Sequence, residues 1–441
     1  MRRSSPRTPA PDSSWPRPWS GHYGLQHDPV SRSFAPPSRR CESAAVISSS
    51  QAEAQAPSKD KLVVVLGALT ALGPLSIDAY LPGLPEIERQ LGAAPGAGAV
   101  TLSTYFLGLA GAQLVWVTLA DRLGRRPPLI TGLLFYAVGS VLCGAATSLP
   151  MLAGARLLQG IGGAASMVIT RTLVRDLWSG AEIARVMSLI MLVMGVAPVL
   201  APPLGGLLLE LASWRAVFVL LTFAGVALAV IAHRSIPETR PSHAPEGFGV
   251  VLKALFSDWR FVAFTFATGA SQAGMFSYIS GSPDVLMQQL GATPLVYSAC
   301  FALNAAGLIA MSQWNRVLLK RATPLRIGSV AITALLVTSV ALVLVAKFAP
   351  SLFAIEALLF VFISLQGLVF ANLVALALDK HARRAGLASA TMGSLQFGVS
   401  AAASALVARL ANGTPMPMTG MMLLGAALAF VMLLFGRRAP A

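Results

Sequence analysis

The chain has 441 residues, 55% of them hydrophobic and only 12% charged, where soluble domains carry roughly 25% charged residues. Its mean hydropathy is +0.69. The formal net charge of +15 would fit a nucleic-acid-binding protein only if the cations clustered on a soluble domain. They lie instead in a tail and in short breaks between apolar runs, which excludes nucleic acid as a partner and places the chain in a lipid bilayer with basic cytoplasmic loops.

Residues 1–58 are rich in Pro, Ser and Arg and poor in aliphatics. Such a stretch cannot bury a core, so a disordered N-terminal extension is expected there. From about residue 62, apolar runs of roughly 20 residues recur to the C-terminus, each able to cross a bilayer core of ~30 Å at 1.5 Å per residue. The runs are continuous rather than alternating and rich in Leu, Ala and Gly, so they predict helices and not strands. We place about twelve spans, at 62–83, 98–119, 128–147, 150–172, 184–209, 214–233, 259–280, 296–318, 325–346, 351–373, 387–409 and 417–436. The expected class is an all-α polytopic membrane protein.

The loops alternate in charge. One set holds Arg122, Arg125, Arg126, Arg175, Arg185, Arg234, Arg240, Lys253, Lys320, Arg321, Lys380, Arg383, Arg384, Arg437 and Arg438; the opposite set holds little beyond Arg89, Arg215 and Lys347. Basic loops stay in the cytoplasm, so both termini are expected there. PETRPSHAPEGFG, from Pro237, divides six spans from six. Its Pro, Gly and mixed charge read as a flexible cytoplasmic linker, 237–258, between a first bundle at 59–236 and a second at 259–441. The three cysteines have no metal or redox spacing, and no cofactor or metal is expected.

Leu119 to Pro127, LADRLGRRP, packs an acid, three arginines and a glycine between the second and third spans. Charged groups cost a few kcal/mol each in hydrocarbon, so the cluster belongs at the membrane face. Its Asp121, Arg122, Gly124, Arg125 and Arg126 resemble the loop motif between helices 2 and 3 of the major facilitator superfamily. The resemblance implies a fold of two six-helix halves and a state-locking role for the acid. That acid would face the N-terminus of span eleven, near Gly386, where a carboxylate gains up to ~1 kcal/mol. Gly124 would permit the tight turn.

Arg156, in RLLQGIGG, resembles the helix-4 motif of the same family. An arginine at that depth needs a counter-charge, carbonyls or a wet cavity. Counting along the spans puts Asp78 and Arg156 at a shared depth in the outer third of the membrane. A direct or water-bridged Asp78–Arg156 pair is therefore expected. It would be either a static structural ion pair or a titrating proton-coupling site.

SIDAYLPGLP from Ser76, TLSTYFLGLAGAQL from Thr101, RTLVRDLW from Arg171 and MGVAPVLAPPLGG from Met194 resemble the Bcr/CflA group of drug:proton antiporters. The last run is similar to the antiporter motif of helix 5. Its Gly195, Pro198, Pro202, Gly205 and Gly206 remove backbone hydrogen bonds and allow close helix approach. The resemblance implies multidrug efflux from a bacterial inner membrane, with a drug-like small molecule and protons as partners, by a monomer. For the substrate cavity we select Tyr105, Gln113, Met191 and Met194, then Gln272, Phe276, Tyr278, Asn304 and Gln366, since methionines and aromatics adapt to differing shapes. Glu356 is a further membrane acid, either a second proton site or a vestibule residue. No P-loop, nucleophile elbow or metal spacing is present, so neither ATP hydrolysis nor another enzymatic activity is expected. A metabolite exporter or proton-coupled importer on the same fold is the alternative.

Overall fold

The computed structural model describes residues 59–239 and 248–438. The expected N-terminal extension, 1–58, lies outside the described residues, as does 240–247 of the expected linker. Helices α1 (Lys59–Asp78), α3 (Ala99–Leu123), α4 (Arg126–Gly144), α5 (Leu149–Leu177), α6 (Ala181–Leu211) and α7 (Trp214–Ser235) come first, with a short α2 (Leu84–Gln90) after α1. After α8 (Phe248–Ser257) come α9 (Trp259–Ser282), α10 (Pro294–Leu318), α11 (Pro324–Phe348), α12 (Leu352–Leu378), α13 (Ala385–Leu410) and α14 (Met416–Arg438).

Among the described residues, 11 helices are long and apolar enough to cross a membrane. The seventh expected span, α9, has 24 residues but falls outside that set. It carries Thr265, Thr268, Ser271, Ser277, Ser280 and Ser282, all buried. All but one of these hydroxyls find partners within the protein, Thr268 donating to the Phe264 carbonyl and Ser277 to the Ala273 carbonyl, while that of Thr265 has none. A helix walled in by other helices can carry such groups where a lipid-facing one cannot.

The helix starts follow from local chemistry. Thr293 and Thr323 cap α10 and α11, each followed by a proline at the first helical position, and Asp258 caps α9 through the amides of Arg260 and Phe261. A side-chain acceptor meets one of the orphan donors, and proline gives up none that was needed. The expected linker is not wholly irregular: α8 buries Val251 and Leu255 in a cluster with Phe261 and Phe264. Two large apolar side chains on one face suffice to hold this turn of chain against α9, and the Pro and Gly content before it concealed that.

Two seams join the first six long helices to the last six. Helix α3 packs along α13, and α6 packs along α10. Matching the second long helix with the eighth, and the fifth with the eleventh, exchanges these seams. A pseudo-twofold arrangement of two repeats has this property.

Candidate functional site

Asp78 is the last residue of α1, where the chain leaves the helix for a turn at Leu81–Gly83 started by Pro82. Proline supplies no amide hydrogen to continue the ladder, so the helix stops there. Asp78 is only 3% exposed, and its Oδ1 has no hydrogen-bond partner. Against this turn sits α6. A Cβ at Gly205 would collide with the carbonyl oxygen of Ala79, so only glycine lets the two backbones meet next to Asp78.

Arg156 is fully buried, on α5. Its Nη1 donates to Gln159 Oε1 at 2.6 Å, and Gln159 Nε2 donates in turn to Ser140 Oγ at 2.7 Å. The guanidinium lies over the rings of Tyr80 and Tyr105, 4.5 and 4.3 Å from their centroids. Its Nε and Nη2 have no partner. The direct ion pair expected between Asp78 and Arg156 is not among the ion pairs of the described residues. Two aromatic faces and an amide one turn away hold the arginine instead, and desolvated cation–π contacts are worth ~2 kcal/mol or more. Tyr105 lies within electrostatic range of both Asp78 and Arg156, and its hydroxyl is unpartnered.

At the opposite end of α3, Gly124 turns the chain with φ of 91°, and a Cβ there would strike the Glu238 carboxylate. Arg125, with a side chain 4% exposed, reaches Asp121 Oδ1 at 2.5 Å and Asp176 Oδ2 at 2.9 Å. Its backbone amide donates to Glu238 Oε1 at 2.8 Å, and Thr239 Oγ1 donates to Asp176 at 3.2 Å. Burial works against the charge of Arg125, but the bonds to Asp121 and Asp176 outweigh it and hold its pKa above the ordinary value. Arg126 donates to the His233 carbonyl; Arg122 is exposed. Arg125, four residues on in the turn between α3 and α4, holds the Asp121 carboxylate in a charge-assisted pair. The functional neighbours Asp176 and Glu238 were missed; RTLVRDLW carried the first, and nothing local marks the second.

Gly195, Pro202 and Gly206 of the antiporter-like run line the α6–α10 seam, while Gly205 faces the turn after α1. Ser298 Oγ donates to the Pro202 carbonyl at 3.4 Å, a Cβ at Gly206 would lie 3.4 Å from the same hydroxyl, and one at Gly195 would lie 3.0 Å from Ile309 Cγ1. Pro198, Pro202 and Pro203 all lie inside the continuous helix α6.

Of the selected cavity residues, several meet at the α3–α13 seam. Phe276 stands 4.4 Å from the ring of Phe106 and 5.7 Å from Phe397, and Phe106 stands 6.1 Å from Phe397. These three rings, from α3, α9 and α13, form one aromatic cluster; Phe106 and Phe397 were not anticipated. Gln113 packs on Gly393, and Ser103 donates to the Ala401 carbonyl at 2.7 Å. Tyr105 is instead part of the Arg156 cluster. Asn304 donates to Tyr278 at 3.0 Å. Gln366 exchanges bonds with Ser271 (2.7 and 3.0 Å), so it is a packing residue. Met194 and Gln272 are half-buried. Met191, on α6, is 52% exposed. At the Asp78 end, Glu88 Oε1 accepts from the Gly98 amide at 2.7 Å and Oε2 from Gln288 at 2.9 Å, tying the first six helices to the last.

The family model of the Major Facilitator Superfamily matches residues 66–405. An uncharacterized MFS-type transporter, YdgK of Bacillus subtilis, is 33% identical over 372 residues, covering 82% of this chain and 91% of that protein. A bicyclomycin resistance protein homolog of Haemophilus influenzae is 27% identical over 361 residues, 81% of this chain and 91% of the relative. Among solved structures, a D-xylose-proton symporter superposes with a TM-score of 0.66 at 11% identity, over 86% of this chain and 98% of that one. At that identity the likeness speaks to the fold alone.

Proposed function

The chain belongs to the Major Facilitator Superfamily, and on that premise we propose that it is a proton-driven exporter of drugs and other amphiphilic small molecules, acting by alternating access as a drug:proton antiporter. The unit is a monomer in a bacterial inner membrane, with both termini cytoplasmic. Its first bundle, 59–236, rocks against its second, 259–441, at the α3–α13 and α6–α10 seams. It uses no cofactor and catalyses no reaction; the proton gradient drives it. The likeness to a bicyclomycin resistance protein homolog supports a drug as cargo.

The observation that carries this reading is Asp78: a buried carboxyl with an unpartnered oxygen, at a helix break, in electrostatic range of the ring that stacks under Arg156. A buried ionised carboxylate without a partner is costly, and a proton is the smallest group that relieves the cost. Arg156, held by Tyr80, Tyr105 and Gln159, compensates the charge in this reading when the proton leaves. The cycle follows. Drug enters from the cytoplasmic side and displaces the proton; the bundles rock; drug leaves outward and an external proton reloads Asp78. Each proton moving down 100 mV supplies ~2.3 kcal/mol.

The test is a growth-inhibition panel in an efflux-deficient bacterium with wild type, Asp78→Asn and empty vector. Phenicols, bicyclomycin-like compounds, sulfonamides and cationic dyes make up the panel. Resistance in wild type that disappears in Asp78→Asn, at equal membrane protein, is the expected result. Full resistance in the variant removes Asp78 from the mechanism, and no resistance to any compound in wild type refutes drug export.

A further inference from the structure

Glu356, on the second turn of α12, is 9% exposed, and both of its carboxylate oxygens are buried without a hydrogen-bond partner. Its polar neighbours on α10 are Asn304 and Cys300. The Asn304 amide nitrogen donates to the Tyr278 hydroxyl at 3.0 Å, and Asn304 Oδ1 is another buried acceptor without a donor. Three buried acceptor oxygens therefore gather here, and no hydrogen bond reaches any of them. No cation meets them either: Lys347, at the end of the adjacent α11, lies over the ring of Phe348 at 5.2 Å and pairs with no carboxylate among the described residues.

The remaining neighbours are aromatic. Tyr278 and Tyr297 lie within electrostatic range of Glu356 and also of Asp78. Tyr278 stacks on Phe301 with centroids 5.6 Å apart, and Tyr297 tilts against the same ring at 6.1 Å. A carboxylate, a free amide oxygen and a wall of three rings form the chemistry that recognises an organic cation, through charge, hydrogen-bond acceptance and ring quadrupoles together. A metal ion would want several oxygens in a compact shell, and the aromatic share here does not provide one.

We propose that Glu356, Asn304 and the Tyr278–Phe301–Tyr297 wall form a subsite for the ammonium group of amphiphilic organic cations, separate from the proton site at Asp78. The proposal rests on the drug-export reading and deepens it, by naming the charge class that this chain selects. Neutral drugs would use the apolar centre without Glu356.

The test is direct binding to the purified full-length protein, with ethidium, a fluorescent organic cation bearing amino donors, and chloramphenicol as neutral probe. Wild type is expected to bind ethidium. Glu356→Gln, which keeps shape and loses charge, is expected to bind it at least about tenfold more weakly, ~1.4 kcal/mol, with chloramphenicol affinity unchanged. Glu356→Asp is expected to fall between the two. Ethidium binding unchanged in Glu356→Gln overturns the proposal, as does an equal loss of both probes or no ethidium binding by wild type. The two readings fail separately. Charge-selective binding that depends on Glu356, in a protein whose drug transport ignores the proton gradient, would leave the subsite standing and remove antiport. Proton-driven phenicol export without Glu356-dependent ethidium binding would do the reverse.

Discussion

Gly205→Ala is the smallest change that tests whether the contact between α6 and the turn after Asp78 sets the conformational balance. The new methyl would fall on the Ala79 carbonyl oxygen and within 3.1 Å of Ala79 Cα. Both obstacles are backbone, so no rotamer change relieves them; α6 and the turn must part. Overpacking of this kind costs ~1–3 kcal/mol. Because the contact belongs to the conformation seen here, that cost becomes a bias of about 5- to 150-fold toward any state in which the contact is broken. The reporter is Ser298→Cys in a chain whose native cysteines are replaced by serine. Ser298 is 2% exposed and faces α6 across the same seam. Its labelling by a membrane-impermeant maleimide is expected to accelerate by about that factor in Gly205→Ala, and drug efflux to fall. Gly154→Ala, with no neighbouring atom within 4 Å of the added Cβ, is expected to change neither. Equal labelling and equal efflux in Gly205→Ala and its parent would refute the reasoning.

Asp176→Asn leaves the buried Arg125 with Asp121 alone. The loss of one charge-assisted bond costs ~1.5–3 kcal/mol, and a lower thermal midpoint of the purified protein is expected; an unchanged midpoint would show that the pair contributes nothing. Arg156→Ala strips the cation from between Tyr80 and Tyr105 and leaves Gln159 Oε1 without its donor. Poor membrane yield is expected, and recovered yield without recovered efflux when Asp78→Asn is added; normal yield of the single variant would argue against compensation. Gln288→Ala frees Glu88 Oε2 from its bond across the two sets of helices. A loss of ~1–3 kcal/mol is expected to speed Ser298→Cys labelling as Gly205→Ala does, and an unchanged rate would remove this bond from the closure.

The helices were legible because apolar length and caps are local properties. The runs expected at 296–318 and 325–346 lie just after Thr–Pro pairs that offer a side-chain acceptor and need no amide, and α10 and α11 start at those prolines. Residue count multiplied by helical rise gives position along the membrane normal, so a shared depth for Asp78 and Arg156 was legible as an expectation. Their azimuth was not. Which side of a helix faces which neighbour depends on packing, and the rings of Tyr80 and Tyr105 took the guanidinium that counting had assigned to Asp78. Asp121 shows the same limit at shorter range. Its pairing with Arg125, four residues on, went unnamed because the motif reading looked only across to span eleven. The α3–α13 and α6–α10 seams had no signature in one sequence, because small residues at a crossing do not name the helix they meet. Phe106 and Phe397 escaped for that reason: each reads as an ordinary apolar residue until the seam brings them together with Phe276.

The most direct test of the account is proton movement at Asp78. Everted membrane vesicles are given a pH gradient, and a pH-sensitive dye follows the gradient when a transported drug is added. Wild type is expected to release protons on drug addition, and Asp78→Asn, at equal abundance in the membrane, to release none while still binding the drug. Drug-induced proton release of the same size in Asp78→Asn would contradict the assignment of the coupling site.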